Sequence, residues 1–182
     1  DHDDAVFAEA RPPGDGGWGG DAAGRASGGG DGGWVRRLWV AIADVAHFVE
    51  EGSALDGEAR RRGNSFYFPD RAIPMLPERL SADACSLRAD VERLAMVVEL
   101  RLAADGRVID ARFHEAVIRS RARLAYEEVA DWLEKSGEAD EGREAVWAES
   151  VRCLDAIASD LLRRRREGGA ILLELPEAVV DV

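Results

Sequence analysis

The stretch LAMVVELRLAADGRVIDARFHEAVI, residues 94–118, decides the fold of this chain. Apolar and polar residues alternate on both sides of Asp105-Gly106, and Asp-Gly is a preferred turn between antiparallel strands. The pattern predicts a β-hairpin with strands at 94–102 and 108–118. A hairpin of this kind needs further strands or helices to cover its apolar face.

Further elements are predicted on both sides of this hairpin. Those upstream are a strand at 5–10, a β-rich stretch at 34–49 that reads as a buried central strand, a helix at 55–62, a strand-like segment at 66–69 and an extended segment at 73–77. Those downstream are helices at 126–134 and 144–166 and a strand at 170–175. The apolar stripe of the longer helix is predicted to be Trp147, Val151, Leu154, Ala158 and Leu161. Strand runs that precede helices indicate an α+β domain.

Composition limits the class of protein. With 182 residues, of which 46% are hydrophobic, the chain can bury one core of ordinary size without disulfides. Cys85 and Cys153 form no C-x-x-C pair, which fits a reducing compartment. The longest apolar stretch, 39–45, is interrupted by Asp44 and is too short to cross a bilayer. We therefore expect a soluble, cytoplasmic protein with no membrane contact.

The net charge of −12 bears on nucleic-acid binding. Phosphate contacts usually need a basic face, so the charge argues against nonspecific binding over the whole surface. A local channel remains compatible with it, because bound metal ions reverse the local field and arginines can concentrate on one side.

Two features concern the limits of the domain. Eleven of the twenty residues 14–33 are glycine, a composition that predicts a flexible insertion within a hairpin. The chain begins without methionine, and residues 178–182 resemble a strand. We expect 1–182 to be part of a longer domain, truncated at both ends.

Three aspartates, Asp1, Asp3 and Asp4, stand directly before the apolar residues 5–8. Two like charges about 4 Å apart repel by roughly 4 kcal/mol at an effective dielectric near 20, so such a cluster at the edge of a core calls for a neutralising cation. Mg²⁺ accepts a few carboxylate oxygens together with water and phosphate, which favours phosphodiester chemistry. The alternative is a solvated acidic terminus in an acidic chain.

Basic and aromatic residues suggest a surface for nucleic acid. Arg119, Arg121 and Arg123 recur at every second residue, which on an extended segment places three guanidinium groups on one face. Solvated arginines paired with nearby glutamates are the alternative. Tyr67 and Tyr126 could stack on bases or contact a sugar, but an aromatic in a β-rich stretch is more often part of the core.

The sequence resembles the catalytic domain of the ribonuclease II / ribonuclease R family, the RNB domain. The segments that carry the resemblance are DHDDAVFAE at 1–9, VAIADV at 40–45, YFPD at 67–70, IPMLP at 73–77, CSLRAD at 85–90 and RARLAYEEV at 121–129. They occur in the family's order with similar separations and cover residues 1–134 apart from the glycine-rich insertion.

The resemblance implies a processive hydrolytic exoribonuclease that degrades single-stranded RNA from its 3′ end to 5′-mononucleotides. Asp1, Asp3 and Asp4 match the family's D-x-D-D cluster that binds Mg²⁺, with Asp3 at the position most essential to chemistry. Tyr67 matches a tyrosine that stacks on the terminal nucleotide, and Tyr126 one near the sugars that helps to separate RNA from DNA. The two remaining matches are the basic positions Arg121 and Arg123.

The chain also departs from the family. A further aspartate of the cluster lies outside it, and Leu173 stands where one branch has a base-clamping phenylalanine. The family's catalytic domain continues beyond residue 182, with RNA-binding domains flanking it. We therefore expect a monomer with flanking RNA-binding domains in the full-length protein, and an inactive fragment in isolation. The alternative function is a non-catalytic RNA-binding or scaffold member of the family.

Overall fold

A computed structural model describes residues 4–11, 34–135 and 147–171. Several sequence-based predictions lie outside the described residues: the positions of Asp1 and Asp3, the flexible insertion at 14–33, the start of the long helix at 144–146, the end of the last strand at 172–175 and Leu173.

An antiparallel sheet of four strands forms the centre of the structure. The strands are β1 (Ala5–Ala10), β2 (Trp34–Ala43), β5 (Glu92–Ala103) and β6 (Val108–Arg119), and their order in the sheet is β1-β2-β5-β6. A second, two-stranded sheet consists of β3 (Phe66–Tyr67) and β4 (Ala72–Ile73). The helices are α1 (Val45–Phe48), α2 (Ala54–Arg62), α3 (Tyr126–Glu134) and α4 (Ala148–Glu167). The α+β prediction is therefore confirmed.

The predicted hairpin at 94–118 is present as β5 and β6. Their register runs from the pair Glu92–Arg119 to the pair Leu102–Val108, with an irregularity between Arg101 and Leu102. Gly106 lies in the turn with a φ of 78°, a left-handed conformation that glycine adopts at little cost. The Asp-Gly pattern thus located this turn correctly.

The β-rich stretch predicted at 34–49 ends earlier than expected. The strand stops at Ala43, and the Asp44 side chain accepts a hydrogen bond of 3.2 Å from the backbone N–H of His47, which caps the short helix α1. The prediction that this stretch is buried is also wrong, because Ile42 is 44% and Val45 37% exposed. The reason is the position of α4, which covers the sheet near Leu38, four residues before Ile42.

Helix α4 buries different faces along its length. Its start packs against α3 through Trp132, Trp147, Ala148 and Val151, and its middle packs on the sheet through Ile157 against Ala8 and Leu102. The predicted stripe is therefore right at Trp147, Val151, Leu154 and Leu161 but wrong at Ala158, which is exposed while Ile157 is buried. Each helical residue advances by about 100°, so a change of packing partner moves the buried face.

The remaining elements are short. Gly63 directly follows the predicted helix at 55–62, and glycine commonly ends helices. In the structure it ends α2 in a left-handed conformation with φ 71°. A π-helical segment at Arg79–Ala84 was not predicted. Residues 170 and 171, where a strand was predicted to begin, are not in a strand. Among the helices in the described ranges, none has the length and apolar composition needed to cross a membrane.

Candidate functional site

Antiparallel pairing brings the start of β1, the end of β2, the start of β5 and the end of β6 to one end of the sheet. We call this the Asp4 end, because Asp4 directly precedes β1 there. Asp44 follows β2, and its backbone N–H donates to the carbonyl of Leu94 over 3.1 Å. Arg119 ends β6 on the opposite edge. Three strand spacings, roughly 14 Å in total, separate the two edges.

The described part of the acidic cluster consists of Asp4. Its side chain is exposed, and no hydrogen bond or ion pair joins it to another described residue. An exposed carboxylate of this kind is compatible both with a hard divalent cation such as Mg²⁺ and with a solvated acidic terminus. No group of three potential metal ligands is assembled within residues 4–11, 34–135 and 147–171. The other two predicted ligands, Asp1 and Asp3, lie outside these ranges.

The arginines extend the pattern of β6 beyond its end. Burial alternates from Arg119 to Leu124, so that Arg119, Arg121 and Arg123 are exposed while Ala122 and Leu124 pack towards Trp132 and Trp147. The three arginines therefore share one face, as the two-residue period predicted.

The ion pairs distinguish these arginines. Arg119 donates to the Glu92 carboxylate over 2.8 Å, as the alternative of glutamate pairing predicted. Neither Arg121 nor Arg123 forms an ion pair with another residue in the described part of the chain. Arg121 and Arg123 are consequently the guanidinium groups on this face that a phosphate could approach.

The extended segment after β6 is anchored to the sheet. The backbone N–H of Asp90 donates to the carbonyl of Ser120 over 2.8 Å, beside a bridge between Ala89 and Ser120. Asp90 has a φ of 61°, an uncommon conformation for a residue with a side chain. Sequence reasoning did not single out Asp90, since no local pattern indicates this conformation. The anchor sets the direction in which Arg121 and Arg123 leave the sheet.

Both candidate tyrosines are strongly exposed. Tyr67 has 78% and Tyr126 94% of its surface accessible, so the alternative that they belong to the core is wrong. Tyr126 is the first residue of α3 and closely follows the extended segment that bears Arg121 and Arg123. The free aromatic face of each residue could stack on a base.

Tyr67 lies on the β3–β4 hairpin among other exposed aromatic side chains. Phe66 and Phe68 flank it in the chain, and the Arg71 guanidinium carbon lies 5.6 Å from the centre of the Phe68 ring. Sequence reasoning missed Phe68 and Arg71. The sequence YFPDR at 67–71 could have indicated both residues, because it places an aromatic and a basic residue on either side of a Pro-Asp turn.

Comparison with known proteins establishes the family. The family model described as the RNB domain matches residues 1–182. The chain belongs to the RNB-domain family. Ribonuclease R of Vibrio parahaemolyticus is 41% identical to this RNB chain over 177 residues, which cover 97% of the chain and 19% of the relative.

Solved structures share the fold of this RNB chain. RNase R of Mycoplasma genitalium, in complex with ribose-methylated single-stranded RNA, superposes with a TM-score of 0.78 at 29% identity. That match covers 97% of this chain and 24% of the other. Yeast Ssd1, a pseudonuclease, matches with a TM-score of 0.57 at 22% identity over 72% of this chain, which shows the fold alone. The chain thus spans about a fifth of the ribonuclease R relative.

Proposed function

We propose that this chain is the first part of the catalytic domain of a processive, hydrolytic 3′-to-5′ exoribonuclease. The enzyme would degrade single-stranded RNA to 5′-mononucleotides with the help of Mg²⁺. The observation that carries the proposal is the placement, in an RNB-domain chain, of Asp4 and the segment bearing Arg121 and Arg123 at the same end of one sheet.

Each side chain has a separate role in this proposal. The carboxylates of Asp1, Asp3 and Asp4 would hold Mg²⁺, with Asp3 the most important for chemistry. Bound there, the metal would lower the pKa of a water molecule and polarise the scissile phosphoryl group. Asp4 suits its role because its carboxylate is exposed and forms no hydrogen bond or ion pair with another described residue.

Arg121 and Arg123 would bind the phosphates of the RNA backbone. Guanidinium groups form paired hydrogen bonds with phosphate oxygens, and alternate residues of an extended segment can follow successive phosphates. Their positive charge would act locally against the net charge of −12. The strand would then be held by a few defined contacts, while the acidic remainder of the surface disfavours nonspecific binding.

The tyrosines would recognise the nucleotides themselves. Tyr67 would stack on the terminal base, and Tyr126 would lie near the sugars and favour RNA through its 2′-hydroxyl. Their exposure of 78% and 94% leaves both rings accessible to a nucleotide.

The proposal extends to the protein as a whole. We propose a cytoplasmic monomer in which RNA-binding domains flank the catalytic domain. The chain spans about a fifth of its ribonuclease R relative. The resemblance to the family implies that an arginine and further acidic groups from beyond residue 182 would complete the site. The 182 residues alone are accordingly expected to release no mononucleotides from labelled oligoadenylate in the presence of Mg²⁺.

A non-catalytic role in RNA binding is the second candidate. The fold itself is compatible with such a role, because yeast Ssd1, a pseudonuclease, shares it. The retention of Asp1, Asp3 and Asp4 argues against it, because a site that no longer cuts has no need of three adjacent carboxylates.

Substitution of Asp3→Asn in the full-length protein tests the enzymatic proposal. Loss of a direct metal ligand should lower mononucleotide release by more than roughly 100-fold, since even outer contacts to a metal site are worth 10- to 100-fold. RNA affinity should be nearly unchanged, because the arginines and tyrosines remain. Release of labelled mononucleotides and binding of labelled oligoadenylate measure the two effects.

The matched control is Asp155→Asn, which changes an exposed aspartate on α4 and should leave both measurements unaltered. If the full-length protein binds RNA but neither it nor the variant releases mononucleotides, the second candidate replaces the first.

A further inference from the structure

In the described part of the chain, no residue of the β3–β4 hairpin strands, which carry Tyr67, is buried. These strands contain only two residue pairs, Phe66–Ile73 and Tyr67–Ala72, and all four residues are exposed. Isolated two-stranded hairpins are marginally stable in water. The orientation of Tyr67 must therefore depend on contacts at the base of the hairpin, where the chain enters from α2 and leaves at Pro74.

Polar contacts close this base. The Arg62 guanidinium donates from Nη1 to the carbonyl oxygen of Pro74 over 2.9 Å and from Nε to Glu58 over 2.8 Å. The hydroxyl of Ser65, which directly precedes β3, accepts a hydrogen bond of 2.9 Å from the backbone N–H of Met75, which follows β4. The hairpin is thus bonded across its base and, through Arg62, to the last turns of α2.

The Arg62 contact differs from those of its neighbours on α2. Arg60 contacts Asp56 and Glu51, and Arg61 contacts Glu58, so neither reaches the hairpin through a described contact. The hydrogen bond from Arg62 is also the largest cause that lowers the pKa of Glu58. A planar guanidinium can serve both acceptors at once, whereas the compact ammonium group of lysine is poorly shaped for such a bridge.

We propose that Arg62 is a positioning residue that holds the β3–β4 hairpin so that Tyr67 can stack on RNA. This inference rests on the proposed function, because it assigns Tyr67 a base to contact. Arg62 itself need not touch the RNA. Its effect on RNA binding should therefore pass through Tyr67.

A double-mutant cycle in the full-length protein tests this coupling. The variants are Arg62→Lys, Tyr67→Ala and their combination, and the readout is the binding of labelled oligoadenylate in the presence of a chelator, which prevents hydrolysis. Tyr67→Ala should weaken binding by about tenfold through the loss of one stacked base. Arg62→Lys should weaken binding by about fivefold alone, and by less than twofold when Tyr67 is already alanine.

Arg61→Lys is the matched control, because Arg61 shares Glu58 with Arg62 but does not contact Pro74. It should leave RNA binding unchanged. Amide hydrogen exchange provides a readout without RNA: Arg62→Lys should accelerate exchange at Phe68 and Met75, whose N–H groups bond within the hairpin, and Arg61→Lys should not. Arg62→Gln, which removes the charge and the bridge together, should reproduce the exchange result.

The outcomes separate two kinds of failure. If Tyr67→Ala leaves RNA binding unchanged, the stacking role in the proposed function is wrong and the positioning role is overturned with it. Two results would overturn the positioning role of Arg62 alone, provided that Tyr67→Ala weakens RNA binding. One is that Arg62→Lys lowers RNA affinity by the same factor whether residue 67 is tyrosine or alanine. The other is that Arg61→Lys lowers RNA affinity as much as Arg62→Lys does.

Discussion

Individual aromatic residues in this chain have opposite environments that their local sequence does not reveal. Trp34 and Trp132 are buried, whereas Tyr67 and Tyr126 are among its most exposed residues. Trp132 contacts the Trp147 ring edge-to-face, with centroids 4.8 Å apart. A large aromatic surface gains free energy from burial, so leaving two tyrosines in water forgoes that stabilisation. Phe113 is exposed as well, so it is exposure together with their match to the family's tyrosines that makes Tyr67 and Tyr126 candidates for binding.

Substitution of Tyr126→Ala should separate binding from stability. Because the ring is 94% exposed, the free energy of unfolding should change by no more than about 0.5 kcal/mol. The preference of the full-length protein for RNA over DNA should fall several-fold, because the 2′-hydroxyl is the group that distinguishes them. Urea unfolding and the binding of labelled oligoadenylate and oligodeoxyadenylate measure the two quantities.

The control for this prediction is Phe113→Ala, which removes another exposed aromatic ring. Phe113 lies within β6, whereas Tyr126 follows the segment that bears Arg121 and Arg123. An equal change in the RNA-to-DNA preference in both variants would contradict a specific role for Tyr126.

Among the elements, the β5–β6 turn shows how a local signal and a distant contact act at one position. A Cβ atom added to Gly106 would lie 3.0 Å from the Cβ of Asp160 and 3.2 Å from its carbonyl carbon, both on α4. The Arg164 side chain also donates to Asp105 in the same turn over 3.1 Å. Glycine is therefore favoured for two reasons, the left-handed φ and the close approach of the helix.

Gly106→Ala should destabilise the protein by about 2 to 4 kcal/mol. Roughly 1 to 2 kcal/mol is the cost of a left-handed conformation for a residue with a Cβ atom, and the crowding against α4 adds about 1 to 2 kcal/mol. Gly52→Ala is the matched control, since Gly52 has a similar φ of 77° but nothing within 4 Å of the added atom. The losses in free energy of unfolding, measured with urea, should therefore differ between the two variants by the crowding contribution. Equal losses would show that α4 moves to make room for the added atom.

The arrangement of the structure as a whole depends on the attachment of α4 to the sheet. Besides the apolar contacts of Ile157, the Arg36 guanidinium on β2 lies 2.5 Å from the Asp160 carboxylate. Arg163 also contacts Asp160, over 2.8 Å. The hydrogen bond from Arg36 and the positive charges of both arginines lower the pKa of Asp160 below its ordinary value of 3.8.

The lowered pKa of Asp160 predicts a dependence of stability on pH. A carboxylate with a depressed pKa in the folded state stabilises the protein above the ordinary value of 3.8, and this contribution is lost as the pH falls through the folded-state pKa. Asp160→Asn should therefore be less stable than the parent at neutral pH, and the difference should shrink at a pH below 3.8. Urea unfolding at several pH values measures it.

Asp155→Asn is the control for this prediction, because Asp155 lies exposed on the same helix. A difference between Asp160→Asn and the parent that persists undiminished in acid would show that the ion pair is not its source.

Local patterns were sufficient for most elements, and the resemblance of several short segments was sufficient for the family. The alternation around Asp105-Gly106 gave the correct strands and turn, Gly63 marked the end of α2, and the segments around the acidic cluster and Tyr67 identified the RNB domain. The elements depend on residues close to one another in the chain, where periodicity and turn preference act directly.

Only the tertiary structure decided which faces are buried and which charges are paired. Ile157 replaces Ala158 in the core because α4 changes its packing partner, and Arg119 is paired while Arg121 and Arg123 have no ion-pair partner among the described residues. Such outcomes depend on groups that are distant in sequence, and a local pattern does not contain the position of its partner. The sequence thus determined the elements and the candidate chemistry, and the packing of α4 and β6 determined which side chains remain available for it.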